Sequence, residues 1–452
     1  MLFKFDYFIS LILFSSISSY ITFSLYEDNY NFTSSDTPKE IIEKILYSKL
    51  YIYIYIGSEK TKVKSYLVLD REEFMIAGNK IMGHKYNESN SKTFNCTYCK
   101  DKDFYYGYYS KGILSTEDFN IEANQNETNI IHKMKFILGT KAKDTNPPEG
   151  FVGLHLPFYD SDIEYNLIRS LKNSNATKSY YWFLNFGNES KFVVDAFPHE
   201  LNSKKYKSNK IKDIESLNDG YYVEWSLNFR DIYYDNKSIN ISNEGEKIAK
   251  IKLDYKLIIA PEETGFMLEK LFFGEYFKNN ICFKETLGYY KEYFIYCKNI
   301  KEFKADKFKN IYFKNIELNS IFELNYKDLF YYKDDYIYFL MVFKGISWIF
   351  GELFLRKYFL VFNQDSKTIG YYEGTGIKNE EIKKNKFELK ANLTIILLIL
   401  IFISIIVVGI ILYNKKGKRK NRANELDDDY EYSSSINNIK NNNNKILEDN
   451  IK

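Results

Sequence analysis

Four cysteines and four histidines are the residues whose types would announce metal, redox or nucleophilic chemistry, and their spacing announces little of it. Cys96 and Cys99 have two residues between them, the spacing of half a zinc site or of a redox motif in a cytosolic protein. No second pair has metal spacing, and His84, His132, His155 and His199 are scattered. A local disulfide is therefore expected for Cys96 and Cys99. Cys282 and Cys297 enclose a Tyr- and Phe-rich, hairpin-like segment and are expected to pair with each other. No metal and no cofactor are expected.

The elements that must position any site are strands. Aromatic residues make up 18% of the chain, with 42 Tyr and 37 Phe, a usage that suits sheets better than helical bundles. A length of 452 residues allows two or three domains, or one large two-lobed unit. With 63 basic and 60 acidic residues, the balance gives no case for nucleic acid as a partner.

The ends point to a membrane. Lys4 precedes an apolar run from Tyr7 to Phe14, and Ser15, Ser16, Ser18 and Ser19 follow, the layout of a secretory leader assigned to residues 1–24. Leu393 to Tyr413 is 21 residues without a charge, enough to cross about 30 Å of hydrocarbon. Lys415, Lys416, Lys418, Arg419, Lys420 and Arg422 follow, which sets the C-terminal side as cytoplasmic. Asn-x-Ser/Thr triplets begin at Asn31, Asn87, Asn95, Asn126, Asn175, Asn188, Asn236, Asn240 and Asn392, and none lies beyond the span. The expectation is a single-pass type I protein of the secretory pathway or cell surface. A stalk is assigned to 373–391, the transmembrane helix to 392–413 and a disordered tail to 414–452.

Within the ectodomain one stretch carries the most information. Trp348-Ile349-Phe350-Gly351-Glu352-Leu353-Phe354-Leu355-Arg356 runs into Tyr358 to Phe362 and closes with Ile369-Gly370-Tyr371. It resembles the C-terminal signature of pepsin-like aspartic peptidases, Trp-Ile-Leu-Gly-Asp, a Phe-Leu-Arg turn, an aromatic strand and Ile-Gly-Phe. The resemblance runs from Tyr51 to Tyr372. Tyr51 to Gly57 with Lys62 to Asp70 resembles the family's first hairpin, and Phe104 to Leu114 its flap. Glu149 to Leu154 is similar to Asp-Gly-Ile-Leu-Gly-Leu, with helical character following at Asn166 to Leu171, and Tyr181 to Leu184 resembles the strand that closes the first lobe. The implied fold is all-β and bilobal, with an N-terminal lobe at 25–190 and a C-terminal lobe at 191–372.

The resemblance also implies the site. Asp70 falls on the first catalytic aspartate, with Arg71-Glu72-Glu73-Phe74 where Thr-Gly-Ser-Ser is expected. Tyr106 is the candidate flap tyrosine over a bound peptide. Ala249 to Pro261, laid without gaps on the second motif, puts Lys252 on the second catalytic aspartate and Asp254 on the glycine. Aligning Asp254 as catalytic requires a two-residue deletion. The family's chemistry needs two carboxylates that share one proton, and a lysine beside Asp70 would remove that state. The leading expectation is thus a non-catalytic member whose cleft binds a peptide or protein ligand. The alternative is an active membrane-anchored aspartic endopeptidase using Asp70 with Asp254, and a third reading is a β-rich receptor ectodomain of other descent.

Overall fold

Tyr51-Ile52-Tyr53-Ile54-Tyr55-Ile56 sends its isoleucines into the core and its tyrosines towards the outer face, the period-two alternation of a strand covered on one side. A computed structural model describes residues 20–372, except 29–30, 82, 105–107, 124–126, 144, 157–162, 188, 217–223, 240–247, 289–291 and 316–320. The chain is mostly β. Its first ten strands are β1 (Ile21–Glu27), β2 (Leu50–Ile56), β3 (Thr61–Val68), β4 (Phe74–Ala77), β5 (Asn95–Asp103), β6 (Tyr109–Ala123), β7 (Glu127–Ala142), β8 (Gly150–Gly153), β9 (Tyr181–Asn185) and β10 (Lys191–Val194). A second set follows as β11 (Ile211–Glu215), β12 (Ser226–Tyr234), β13 (Lys237–Ser238), β14 (Ile248–Ile251), β15 (Ile258–Ala260), β16 (Cys282–Leu287), β17 (Glu292–Lys298) and β18 (Ile311–Asn315). The chain then adds β19 (Ile321–Leu324), β20 (Phe330–Lys333), β21 (Tyr336–Phe343), β22 (Trp348–Phe350), β23 (Leu360–Asn363) and β24 (Thr368–Tyr372).

Among the described residues these strands form two sheets. The first runs β11-β24-β23-β9-β10-β1-β2-β3-β8-β4-β7-β6-β5, and the second β16-β17-β21-β15-β22-β14-β12-β18-β19, with β13 on β12 and β20 on β21. The last two described strands thus join the first sheet, β23 pairing with β9 so that Phe362 lies opposite Trp182, and β24 pairing with β23 and β11. The boundary between lobes expected at residue 190 falls immediately before β10, which hydrogen-bonds to both β1 and β9. β1 itself begins inside the stretch assigned to a leader, with Ile21 to Ser24 paired to Val194 to Lys191. At the junction of the two halves Trp182 stacks on Phe362 at 4.1 Å, and Trp225 meets Phe362 edge-on at 5.1 Å. The Trp225 indole N–H donates to the Leu154 carbonyl at 2.7 Å, so a side chain preceding β12 ties directly to the end of β8.

Residues 41–50, which suit helix or strand, divide between the two. A helix covers Pro38–Leu46, and β2 starts at Leu50. Its start is a reciprocal cap, with Glu40 N–H donating to Thr37 Oγ1 at 3.3 Å and Thr37 N–H to Glu40 Oε2 at 2.7 Å. A second short helix, Leu167–Asn173, matches the expected helical stretch. Cys282 is bonded to Cys297, its register partner across β16 and β17, and Cys96 is bonded to Cys99. Among the described residues no helix is long and apolar enough to cross a membrane. The leader up to residue 19, the stalk, the span at 392–413 and the tail lie outside the described residues.

Candidate active site

Two loops, one in each half, are built the same way. β3 runs parallel to β8, with Leu67 opposite Val152 and Val68 opposite Gly153. The chain then passes through residues 69–73 and returns as β4 on the other side of β8, antiparallel, with Phe74 opposite Val152. In the second half β14 runs parallel to β22, with Ile251 opposite Phe350, and β15 returns on the far side with Ile259 opposite Ile349. Each loop therefore straddles the end of a central strand, where a glycine stands: Gly153 as the last residue of β8 and Gly351 directly after β22.

The glycines are there because the loop backbone lies on them. A Cβ on Gly153 would stand 2.5 Å from the carbonyl oxygen of Glu73 and from the carbonyl carbon of Glu72. On Gly351 it would stand 2.3 Å from the carbonyl oxygens of both Tyr255 and Leu257. No side chain fits at such distances, because the obstructing atoms are backbone.

Counting from these glycines puts the two aspartates in register. Val68 is opposite Gly153, and Asp70 follows two residues later. Lys252 follows Ile251 and donates its N–H to the Phe350 carbonyl at 3.0 Å, which makes it the counterpart of Val68. Asp254 again follows two residues later. The six steps from Val68 to Phe74 match the six from Lys252 to Ile258. In this frame Arg71 corresponds to Tyr255, Glu72 to Lys256 and Glu73 to Leu257.

A family model of the eukaryotic aspartyl proteases matches residues 68–373, from the end of β3 through the last strand. The chain belongs to the eukaryotic aspartyl protease family. No curated protein matches it.

In this member of the family the Asp254 carboxyl is pushed up to about 6, first by burial and then by the negative charge of Asp70. Lys49, Lys252 and Arg71 act in the opposite direction on the same carboxyl. Arg71 also stands beside Asp70, with Nη2 at 3.7 Å from Oδ2. Lys49 lies just before β2 and donates to the Tyr108 hydroxyl at 2.9 Å. Lys252 reaches Glu224 at 3.9 Å, and Lys250 shares that carboxylate at 2.5 Å. Burial above all raises the Glu73 carboxyl.

The Asp70 loop is held from behind by a residue that pattern-reading did not single out. Asn166 donates through Nδ2 to the Glu72 carbonyl at 2.7 Å and to the Gly153 carbonyl at 2.9 Å. Its Oδ1 meanwhile accepts the Ile168 N–H at 3.0 Å, capping the helix Leu167–Asn173. An Asn directly before a helical run is the sequence signal for the cap. Tyr106, the candidate flap residue, lies outside the described residues, though the strands that flank it, β5 and β6, pair as a hairpin. Among the described residues no three His, Cys, Asp or Glu side chains gather as a metal ion would require.

Proposed function

We propose that the protein is an aspartic-type endopeptidase in which Asp70 and Asp254 act as the carboxylate pair. One observation carries this reading. Asp254 occupies the position equivalent to Asp70, and burial together with the Asp70 charge raises its carboxyl to about 6. A carboxyl that keeps its proton in mildly acid solution can donate to the scissile carbonyl oxygen. An ionised neighbour can take a proton from an attacking water. The objection drawn from the ungapped alignment loses its footing, because Lys252 corresponds to Val68 and its ammonium faces Glu224.

A second reading has its own observation. Arg71 stands 3.7 Å from Asp70, and Glu73 and Leu257 occupy loop positions where the family pattern carries hydroxyls. Those features favour a cleft that binds a peptide or protein without cutting it. We further read the protein as a type I membrane protein of the secretory pathway or cell surface. The charge-free run Leu393 to Tyr413 and the basic cluster after it support this.

The test is cleavage of a mixed peptide library by the purified ectodomain between pH 3 and pH 7. Cleavage that Asp70→Asn and Asp254→Asn each abolish is expected. Binding without cleavage supports the second reading, and cleavage that survives both substitutions rejects the assignment of the pair. Truncation before Leu393 should give a soluble, glycosylated product; a product that stays in the membrane rejects the topology.

A further inference from the structure

Lys256, in the Asp254 loop, corresponds to a residue the family pattern writes as glycine, and it is gripped at three points. Its Nζ donates to Glu27 Oε1 on β1. Its backbone N–H donates to the carbonyl of Leu46, the last residue of the helix Pro38–Leu46, at 3.0 Å. Its own carbonyl accepts the Leu353 N–H at 2.9 Å. Two of the three grips come from the segment that precedes residue 68, outside the family match.

Glu27 is itself fixed. Ser48 Oγ donates to the oxygen that takes Lys256, at 3.0 Å, and Arg356 Nη2 donates to the other oxygen at 2.9 Å. Arg356 also donates to Glu352, whose side chain is buried next to Gly351. These contacts keep the Glu27 carboxyl below its ordinary value despite burial, which opposes them. Charge, reach and orientation therefore agree across four residues, Glu27, Ser48, Lys256 and Arg356, from four separate segments of the chain. A glycine at position 256 could make none of the side-chain contacts.

We propose that Glu27, acting through Lys256, is a positioning residue for Asp254, and that Glu27, Leu46 and Ser48, which precede the family match, are working parts of the site. This rests on the reading of Asp254 as one of the catalytic pair. A loop displaced by one ångström can lose about 100-fold in rate. Glu27→Ala and Lys256→Met should therefore each lower kcat by about tenfold or more, with KM moving less than about twofold.

The two residues act through one contact, so the double variant should fall no further than either single one. Glu27→Gln keeps an acceptor for Lys256 and should retain part of the rate. Amide hydrogen exchange across residues 252–258 should quicken in Glu27→Ala and in Lys256→Met while the melting temperature changes little. N-terminal sequencing of active protein from cells should find a start at or before Ile21.

Losses in kcat that multiply in the double variant overturn the proposal, as does active protein that begins beyond Glu27. Unchanged exchange across 252–258 in a folded Glu27→Gln and a folded Glu27→Ala also overturns it. Should the wild-type protein cleave nothing, the proposed activity fails, and the exchange measurement alone decides whether Glu27 holds the loop.

Discussion

Replacing Asp254 by Asn tests the electrostatics of the site without requiring turnover. The Asp254 carboxyl stands at about 6 in the folded chain, against an ordinary value of 3.8. The folded state therefore holds this proton over a pH range in which the unfolded chain has released it. Stability from this group is complete below the unfolded value and is lost as pH rises through the folded one. A difference of about two pKa units corresponds to about 3 kcal/mol, all of it withdrawn from the wild-type protein by pH 8. Asparagine has nearly the same shape and never ionises. The pH dependence of the difference therefore isolates the charge. Urea unfolding of both proteins at pH 3.5, 5, 6.5 and 8 should show Asp254→Asn gaining on wild type by up to about 3 kcal/mol, mostly between pH 4 and pH 6. A difference that stays flat within about 0.5 kcal/mol refutes the reasoning. A difference of opposite slope is worse, because Lys49 and Lys252 would then hold the carboxylate below its ordinary value and no shared proton would remain.

The alkaline limb of kcat/KM should report an apparent pKa of about 6, and Lys49→Met should move that limb to higher pH, because the Lys49 ammonium favours the ionised Asp254. A limb that stays put, or moves down, removes Lys49 from the site. Gly351→Ala places a Cβ 2.3 Å from two backbone carbonyl oxygens, so it should cost about 3 kcal/mol or prevent folding; chemical denaturation showing a loss under 1 kcal/mol contradicts the packing. Lys256→Gly restores the family's glycine and should nevertheless slow cleavage, since it releases the grip of Glu27; a faster enzyme would reject that ranking of effects.

Much of the scaffold was legible because strand patterns are local. The Ile/Tyr alternation of β2 needed only period two, whereas the closing strand at Thr368 to Tyr372, buried at four successive positions, was legible from the polar turn before it and its aromatic residues. The signature at Trp348 to Gly351 was legible because Gly351 answers to a fixed backbone contact. The helix at Pro38 was ambiguous by periodicity, and its Thr37–Glu40 cap was the deciding signal. The second aspartate was harder. Matching both ends of Ala249 to Pro261 without gaps fixes the flanks but leaves the register of the loop open. That register is set by backbone pairing with a strand about a hundred residues later in the chain. Comparing the two halves of this chain with each other gives a clue, since Leu69-Asp70 and Leu253-Asp254 both stand two steps past the register of a glycine. Asn166 and Glu27 were not legible as loop supports, because their contacts join segments 94 and 229 positions apart.

The family pattern places glycine third in each loop, and Glu72 and Lys256 stand there in this chain. Two demands could require glycine, a left-handed backbone or a close approach. Among the described non-glycine residues, positive φ occurs at positions such as Lys60, Asp195 and Asp334, and at none in either loop. Conformation therefore does not demand glycine at Glu72 or Lys256. Approach is the remaining demand, and for Lys256 the direction of the side chain answers it. Its ammonium reaches β1, where the Glu27 carboxylate receives it while Ser48 and Arg356 donate to the same carboxylate. On the first loop the Glu72 carbonyl is taken by Asn166. Close packing is enforced one layer below, at Gly153 and Gly351, where a Cβ would strike backbone. The loops thus keep their seat on the central strands, and the residues replacing glycine follow supports that the Asp-Thr-Gly pattern does not contain.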